Sequence, residues 1–273
     1  MKHFVLLVLL CLCIFSRLFS QISNILPVSS SIANTSVSDN HNWNGFSNPA
    51  ILGYLEKPEL GFQIENRFLI KELSTKSAHF AYSNSLLNSS ISFSHFGYSK
   101  YQEMIIGIGF ARSFAQKFAI GIQGNYYTTY YSASNSYHGV FFPQIGLSVN
   151  LSKSFGIGFS ASNPFQSVLV TEYVSKRIPS IFSLGSSYSF CPELEWRMQM
   201  DKEVSSNYRF ATGFDYRMLE KATLKLGMYG SDYLVPCLGV GLKLGVFNFD
   251  LNCELHPLLG LTTFGALKYH FRK

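Results

Sequence analysis

The stretch Ile106-Gly107-Ile108-Gly109-Phe110 sets a large apolar side chain at every second position, with only glycine between them. Successive side chains of a strand point to opposite faces, so this stretch has one bulky face and one nearly bare face. The same alternation recurs along the chain. Phe118, Ile120 and Ile122 alternate with Ala119, Gly121 and Gln123. Ile145, Leu147 and Val149 alternate with Gly146, Ser148 and Asn150. Phe155, Ile157 and Phe159 alternate with Gly156, Gly158 and Ser160. Leu238, Val240, Leu242 and Leu244 alternate with Gly239, Gly241, Lys243 and Gly245, and Phe247, Phe249 and Leu251 with Asn248, Asp250 and Asn252.

Which face lies inside decides the class. A soluble sandwich buries its apolar face and covers the other with charge. Here the second face is largely Gly, Ser, Ala, Asn and Gln, a poor cover for a soluble protein and a suitable lining for a barrel whose apolar face meets lipid. Composition agrees. Of 273 residues, 47% are hydrophobic, 16% aromatic and only 14% charged, against about 25% charged in soluble domains. Intrinsic disorder is excluded by this apolar content. The six-charge basic excess is spread out with no Lys/Arg run, which argues against nucleic-acid binding. Tyr126, Tyr127, Tyr130, Tyr131, Phe141, Phe142, Tyr188, Phe190, Tyr269 and Phe271 gather at strand ends, where amphipathic rings suit a bilayer interface.

Strands are expected near 60–70, 77–86, 89–99, 103–114, 118–131, 138–150, 155–163, 178–190, 193–203, 208–217, 222–230, 236–246, 247–256 and 261–271. These make an all-β, transmembrane antiparallel β-barrel of about 14 strands, an even number as such barrels require. With both termini periplasmic, 71–76, 100–102, 132–137, 164–177, 204–207, 231–235 and 257–260 form the outer loops. About 14 strands tilted by about 40° and spaced about 4.8 Å apart enclose a bore of roughly 28 Å. That width needs a plug or leaves a water path.

Residues 1–20 read as an export signal. Lys2 and His3 precede the apolar run Phe4–Phe15, too short to span a bilayer as a helix. Cys11 and Cys13 follow bulky leucines, which speaks against lipidation. Cys191, Cys237 and Cys253 remain, an odd and widely spaced set that suggests neither disulfides nor a metal site. Residues 21–58 lack alternation and form a short N-terminal helical hatch, with Pro49 opening a helical turn and Gly53 ending it. The barrel takes 59–273.

Strand parity assigns lumen charges: Glu65, Arg67, Glu195, Arg197, Asp201, Asp215, Arg217, Lys225, Lys243, Asp250, Glu254 and Lys268. Arg67 shares its face with Glu65, opposite Phe62, Ile64 and Phe68. Mixed signs argue against a single-sign ion filter and favour wall-to-wall pairing. Arg112 falls on the outward face at a strand end, where its stem can snorkel. The Gly-x-Gly pairs sit within strands and are no nucleotide loops. No nucleophile elbow or metal-binding signature occurs, and His256 beside Glu254 is the single local pair of catalytic type. No enzyme activity, cofactor or metal is expected.

Asn48-Pro49-Ala50 before the first strand resembles the Asn-Pro-Ala segment of FadL-type barrels, among them the PorV/PorQ-like proteins of the Bacteroidetes. Ile178-Pro179 with Leu184-Gly185 and Tyr188, then Phe210 to Tyr216 with Leu224-Lys225-Leu226-Gly227, resemble the strand openings of that family. Phe249-Asp250, His256 and Leu259-Gly260-Leu261-Thr262, closing on Tyr269 and Phe271, resemble its final hairpin. Lys225 stands where the family usually has Arg, and the chain is short for the group. The resemblance implies a hatch-bearing barrel in the outer membrane of a Gram-negative bacterium, with lipid as its surroundings. Two roles follow from it. One is a passive conduit or binding barrel for hydrophobic small molecules, with an apolar pocket under the 164–177 loop at Phe165, Val168, Leu169 and Val170 that opens sideways to lipid. The other is an accessory or interaction protein of type IX secretion that contacts secretion components. An exported soluble β-sandwich is the alternative outside the membrane.

Overall fold

The structure is a computed structural model. It describes residues 26–40, 43, 45–132, 135–170, 175–219, 221–231 and 233–271. The export signal at 1–20 lies outside the described residues.

Fourteen antiparallel strands close into a barrel. In chain order they are β1 (Glu59–Asn66), β2 (Ser74–Tyr82), β3 (Asn88–Tyr98), β4 (Tyr101–Phe114), β5 (Phe118–Tyr131), β6 (Ser136–Asn150) and β7 (Phe155–Ser162), followed by β10 (Ile181–Cys191), β11 (Leu194–Glu203), β12 (Tyr208–Leu219), β13 (Ala222–Gly230), β14 (Leu234–Leu244), β15 (Phe247–His256) and β16 (Gly260–His270). Between β7 and β10 a small separate hairpin forms from β8 (Val168–Val170) and β9 (Ser175–Arg177). Closure is made by β1 on β16, from Glu59 opposite His270 to Asn66 opposite Thr263. Pairing of the first and last strands leaves neither of them as a free sheet edge, as hydrocarbon surroundings demand.

The apolar face looks outward. Ile106, Ile108, Phe110, Ile120 and Ile122 are exposed, whereas Ser92, Gln123, Asn125 and Gln144 are buried inside. This orientation overturns the soluble-sandwich alternative. Arg112 points outward with its guanidinium 5.4 Å from the Phe114 ring.

Several boundaries differ from the periodicity reading, among them β2, which runs over 74–82 rather than 77–86, and β14, over 234–244 rather than 236–246. β1 stops at Asn66 because Phe68 and Leu69 adopt left-handed φ of 56° and 57°, which turns the chain into short 3-10 turns at Arg67–Leu69 and Lys71–Leu73. Phe68 therefore leaves the outward face. β10 starts at Ile181 rather than 178, since Pro179 cannot donate to a ladder. The outer loop holds the hairpin β8–β9, too short for periodicity to show.

The buried apolar clusters lie inside the barrel, where residues 26–55 meet the wall. Ile32 and Ala33 pack on Ala211, Val235 and Cys237. Trp43, Ile51 and Leu52 pack on Ala81 and Ala111. Leu26 and Phe46 pack on Ile105, Tyr127 and Phe142, joined by Leu169 and Ile178 of the outer loop. Each buried Leu, Ile or Phe among them contributes about 1.5–3 kcal/mol.

The outward face sets a measurable cost for charge. Ile108→Arg, in the middle of β4, is expected to destabilise the barrel by about 2–4 kcal/mol in reversible urea unfolding from lipid vesicles. A change near zero would show that this face does not meet hydrocarbon.

Candidate functional site: the filled bore and its outer cavity

While 21–25 of the expected hatch lie outside the described residues, the described part of the N-terminal segment, from residue 26 on, is irregular apart from two 3-10 turns, Ile32–Asn34 and Pro49–Tyr54. It is less helical than its sequence suggested. Asn48 caps the second turn, accepting from the Ala50 N–H at 3.0 Å, and Pro49 occupies the first turn. The Asn48 amide also donates to the carbonyls of Val37 and Leu147, both at 2.9 Å. It thus ties two parts of the segment to β6.

The inward glycines form the seat of this segment. A methyl group at Gly121 would overlap the Pro49 carbonyl, one at Gly146 the Asn48 amide, one at Gly158 the Val37 carbonyl, and one at Gly213 the Ile32 side chain. The bare face read from the sequence is the docking surface for backbone that approaches closely.

An irregular segment has carbonyls with no ladder partner, and wall side chains supply donors. Arg209 donates to Ala33 at 2.5 Å. Lys225 and Asn252 donate to Ser30 at 3.2 and 2.9 Å. Lys268 donates to Trp43. Gln123 and Ser92 donate to Gly45 at 3.0 and 2.9 Å, and Gln144 to Ser47 at 3.0 Å. Asn88 donates to Leu52 at 2.8 Å. Among the described residues one fully ionic contact joins them. Arg197 lies 3.1 Å from Asp39 of the segment, 3.1 Å from Glu195 and 2.5 Å from Asp215.

Most of the inferred lumen charges are thereby placed. Glu65, Arg197, Asp201, Lys225, Asp250 and Lys268 are buried. Lys225 pairs with Asp250 at 2.5 Å, and Asp201 with Arg209 at 2.7 Å. Glu195, Asp215 and Glu254 are half-buried, while Arg217 and Lys243 are exposed. Arg67 sits in the turn after β1 and pairs with Glu65 at 2.9 Å. Burial opposes the charge of Arg67, but the Glu65 carboxylate outweighs it and holds the guanidinium above its ordinary pKa.

Periodicity missed several members. Arg209 shares the parity of Asp215 on β12 and faces Asp201 across the ladder, so its signal was available. Asp39 carried no signal, because its segment has no period. Glu59 lies between His79 at 3.3 Å and His270 at 3.5 Å, at the seam between β1 and β16.

Above the segment lies a cavity of about 880 Å³. Its floor includes Leu26, Val37 and Phe46, and its rim includes Phe68, Arg177, Tyr233 and Leu258. The lining is mixed rather than apolar. Ser160, Ser162, Ser183, Gln144 and Gln199 occupy one wall. Of the four loop residues expected to make an apolar pocket, Leu169 alone turns inward, at 3% exposure, while Phe165 and Val170 are 78% and 72% exposed and Val168 is also exposed. A β hairpin alternates its faces, so β8 can send only its middle residue inward. The hairpin is held by Lys176, whose ammonium donates to Glu103 at 2.7 Å and Tyr127 at 2.6 Å. His256 makes no pair with Glu254. Its Nδ1 accepts from the backbone N–H of Leu258 and Leu259, each at 3.2 Å.

No family model and no curated protein matches the sequence. Solved structures match the fold. The Pseudomonas putida toluene transporter TodX superposes with TM-score 0.66 at 9% identity, over 91% of this chain and 98% of that one. The CymD monoaromatic hydrocarbon channel gives 0.65 at 10% identity, over 92% and 99%. A Pseudomonas aeruginosa FadL homologue gives 0.61 at 10% identity, over 84% and 94%. In fold the chain is a β-barrel of the FadL-like type.

The glycine seat generates a test. Gly146→Val is expected to unseat residues 26–55 without opening the wall. Protease should then cut that segment, and single-channel conductance in planar bilayers should rise well above wild type, with β-sheet circular dichroism unchanged. Wild-type conductance and protection would show that the seat does not hold the segment.

Proposed function

We propose that the chain is a passive conduit or binding barrel for hydrophobic small molecules in the outer membrane. The observation that carries this reading is the cavity of about 880 Å³ beneath the outer turns, a size within the roughly 300–1,000 Å³ range of small-molecule sites. The fold likeness to a toluene transporter and a monoaromatic hydrocarbon channel supports it.

Residues 26–55 fill the bore below the cavity, so a molecule held there has no straight path inward. The wall offers a second direction. The β6–β7 ladder runs only from Gln144 to Asn150. Beyond it, Pro143 lacks an N–H, and its carbonyl takes the Asn163 N–H at 2.9 Å. Among the described residues, the outer half of β6 has no ladder partner on that side. The hairpin β8–β9 lies against it, with Leu169 packed near Phe142 and Val140. In this reading the cavity communicates with the outer leaflet beside β6.

Binding tests the proposal directly. The full barrel in nanodiscs is expected to bind toluene saturably, displacing a naphthylamine fluorophore. Ser162→Trp, which fills the cavity from β7, should weaken binding by about tenfold, equivalent to roughly 1.4 kcal/mol. Toluene uptake that never saturates beyond its partition into empty nanodiscs would refute the reading.

A further inference from the structure

We propose that the outer cavity selects hydrophobic molecules that carry one positive charge, such as protonated arylalkylamines or aryl-bearing quaternary ammonium compounds, with Glu254 as the counter-charge. This rests on the conduit reading above and names the substrate class of the same cavity.

Arg177 stands exposed at the rim, and among the inner acids of the lining Glu254 has no cation in direct contact, with Arg67 and Arg209 acting on it only from farther off. Arg67 is taken by Glu65 through two contacts, at 2.9 and 3.3 Å. Arg209 is taken by Asp201 at 2.7 Å and by the Ala33 carbonyl at 2.5 Å. Lys176 is taken by Glu103 at 2.7 Å. Glu254 lines the same cavity, and its one hydrogen-bond partner among the described residues is the Tyr229 hydroxyl, at 2.9 Å. A carboxylate withdrawn from bulk water without a counter-ion is costly, and an arriving cation offsets that cost.

The surroundings of Glu254 suit an organic cation better than a metal ion. His256 follows two residues along β15 on the same face. Its ring lies 5.6 Å from Tyr233 and 6.2 Å from Phe68, edge-on to both. Phe68 is held there by its backbone N–H on Thr262 Oγ1 at 3.3 Å, and Thr262 stands opposite Glu254 in the ladder. The left-handed turn that pulled Phe68 off the outward face thus delivers its ring to this side of the cavity. Rings attract an ammonium through their negative faces while accepting its apolar substituents. A metal ion would require several oxygen or nitrogen ligands, and among the described residues no group of three His, Cys, Asp or Glu side chains is arranged to hold one.

The experiment compares benzyltrimethylammonium, its carbon isostere neopentylbenzene and the anion benzylsulfonate, by calorimetry on the full barrel in zwitterionic nanodiscs. The expected result is binding of the cation at least about tenfold tighter than the isostere, a difference of roughly 1.4 kcal/mol, with the anion weakest. Added salt should narrow the gap only modestly, since an enclosed pair is weakly screened. Glu254→Gln should bring the cation-to-isostere ratio close to one. Isostere binding without cation preference in the wild type overturns this inference and leaves the conduit reading standing. A preference that survives Glu254→Gln overturns the role given to Glu254. Binding of none of the three overturns the conduit reading with it.

Discussion

A peptide group removed from water must find a hydrogen-bond partner, and this requirement acts twice here. In the wall it forces closure, so β1 meets β16 and the ladder returns on itself. Inside the bore it governs a segment with no ladder. Apart from two 3-10 turns, the described part of residues 26–55 is irregular, and its carbonyls would be stranded against the wall. Lysine, arginine, asparagine, glutamine and serine side chains from the wall reach those oxygens instead, from β3 on one side to β16 on the other. The polar inner face therefore serves the segment first. Its serines and glutamines do not describe an open water channel, because much of their hydrogen-bonding capacity is already used.

The same requirement explains the charges. A guanidinium in a narrow interior is tolerable when carboxylates surround it. Arg197 has three, drawn from its own strand, the neighbouring strand and the inner segment. Removing such a centre leaves uncompensated acids, so the pairing also fixes the segment's position. Glycine makes the complementary contribution. It brings wall backbone within contact of segment backbone, where any side chain would intervene. Small residues set the distance, and charged ones set the register.

Much of this was legible in the sequence, and the limit follows from periodicity. A two-residue repeat marks a strand and its inward face over many residues, so the number of strands, their order and the inward placement of Glu65, Arg197 and Lys225 could be read directly. The repeat says nothing about where a strand ends by backbone choice. Phe68 looks outward by parity, yet a positive φ turns it into the cavity mouth. Val168 and Val170 look like pocket residues by composition, but a three-residue strand shows them to solvent and only Leu169 to the core. Asp39 belongs to a segment without a period, so its meeting with Arg197 depends on tertiary packing alone.

Filling the bore changes what the cavity can be. Were the inner segment absent, the space above it would be the outer vestibule of a wide pore, where water would screen its charges. With the segment in place the cavity has a floor of Leu26, Val37 and Phe46, and its charges stand in a confined space of lower effective dielectric. Pairing then becomes nearly obligatory, which is why Arg67, Lys176 and Arg209 each sit on a carboxylate. A group left without such a partner is conspicuous only because the bore is closed. The chemistry of the outer cavity is thus a consequence of the inner segment, although most of the residues that line it belong to the wall.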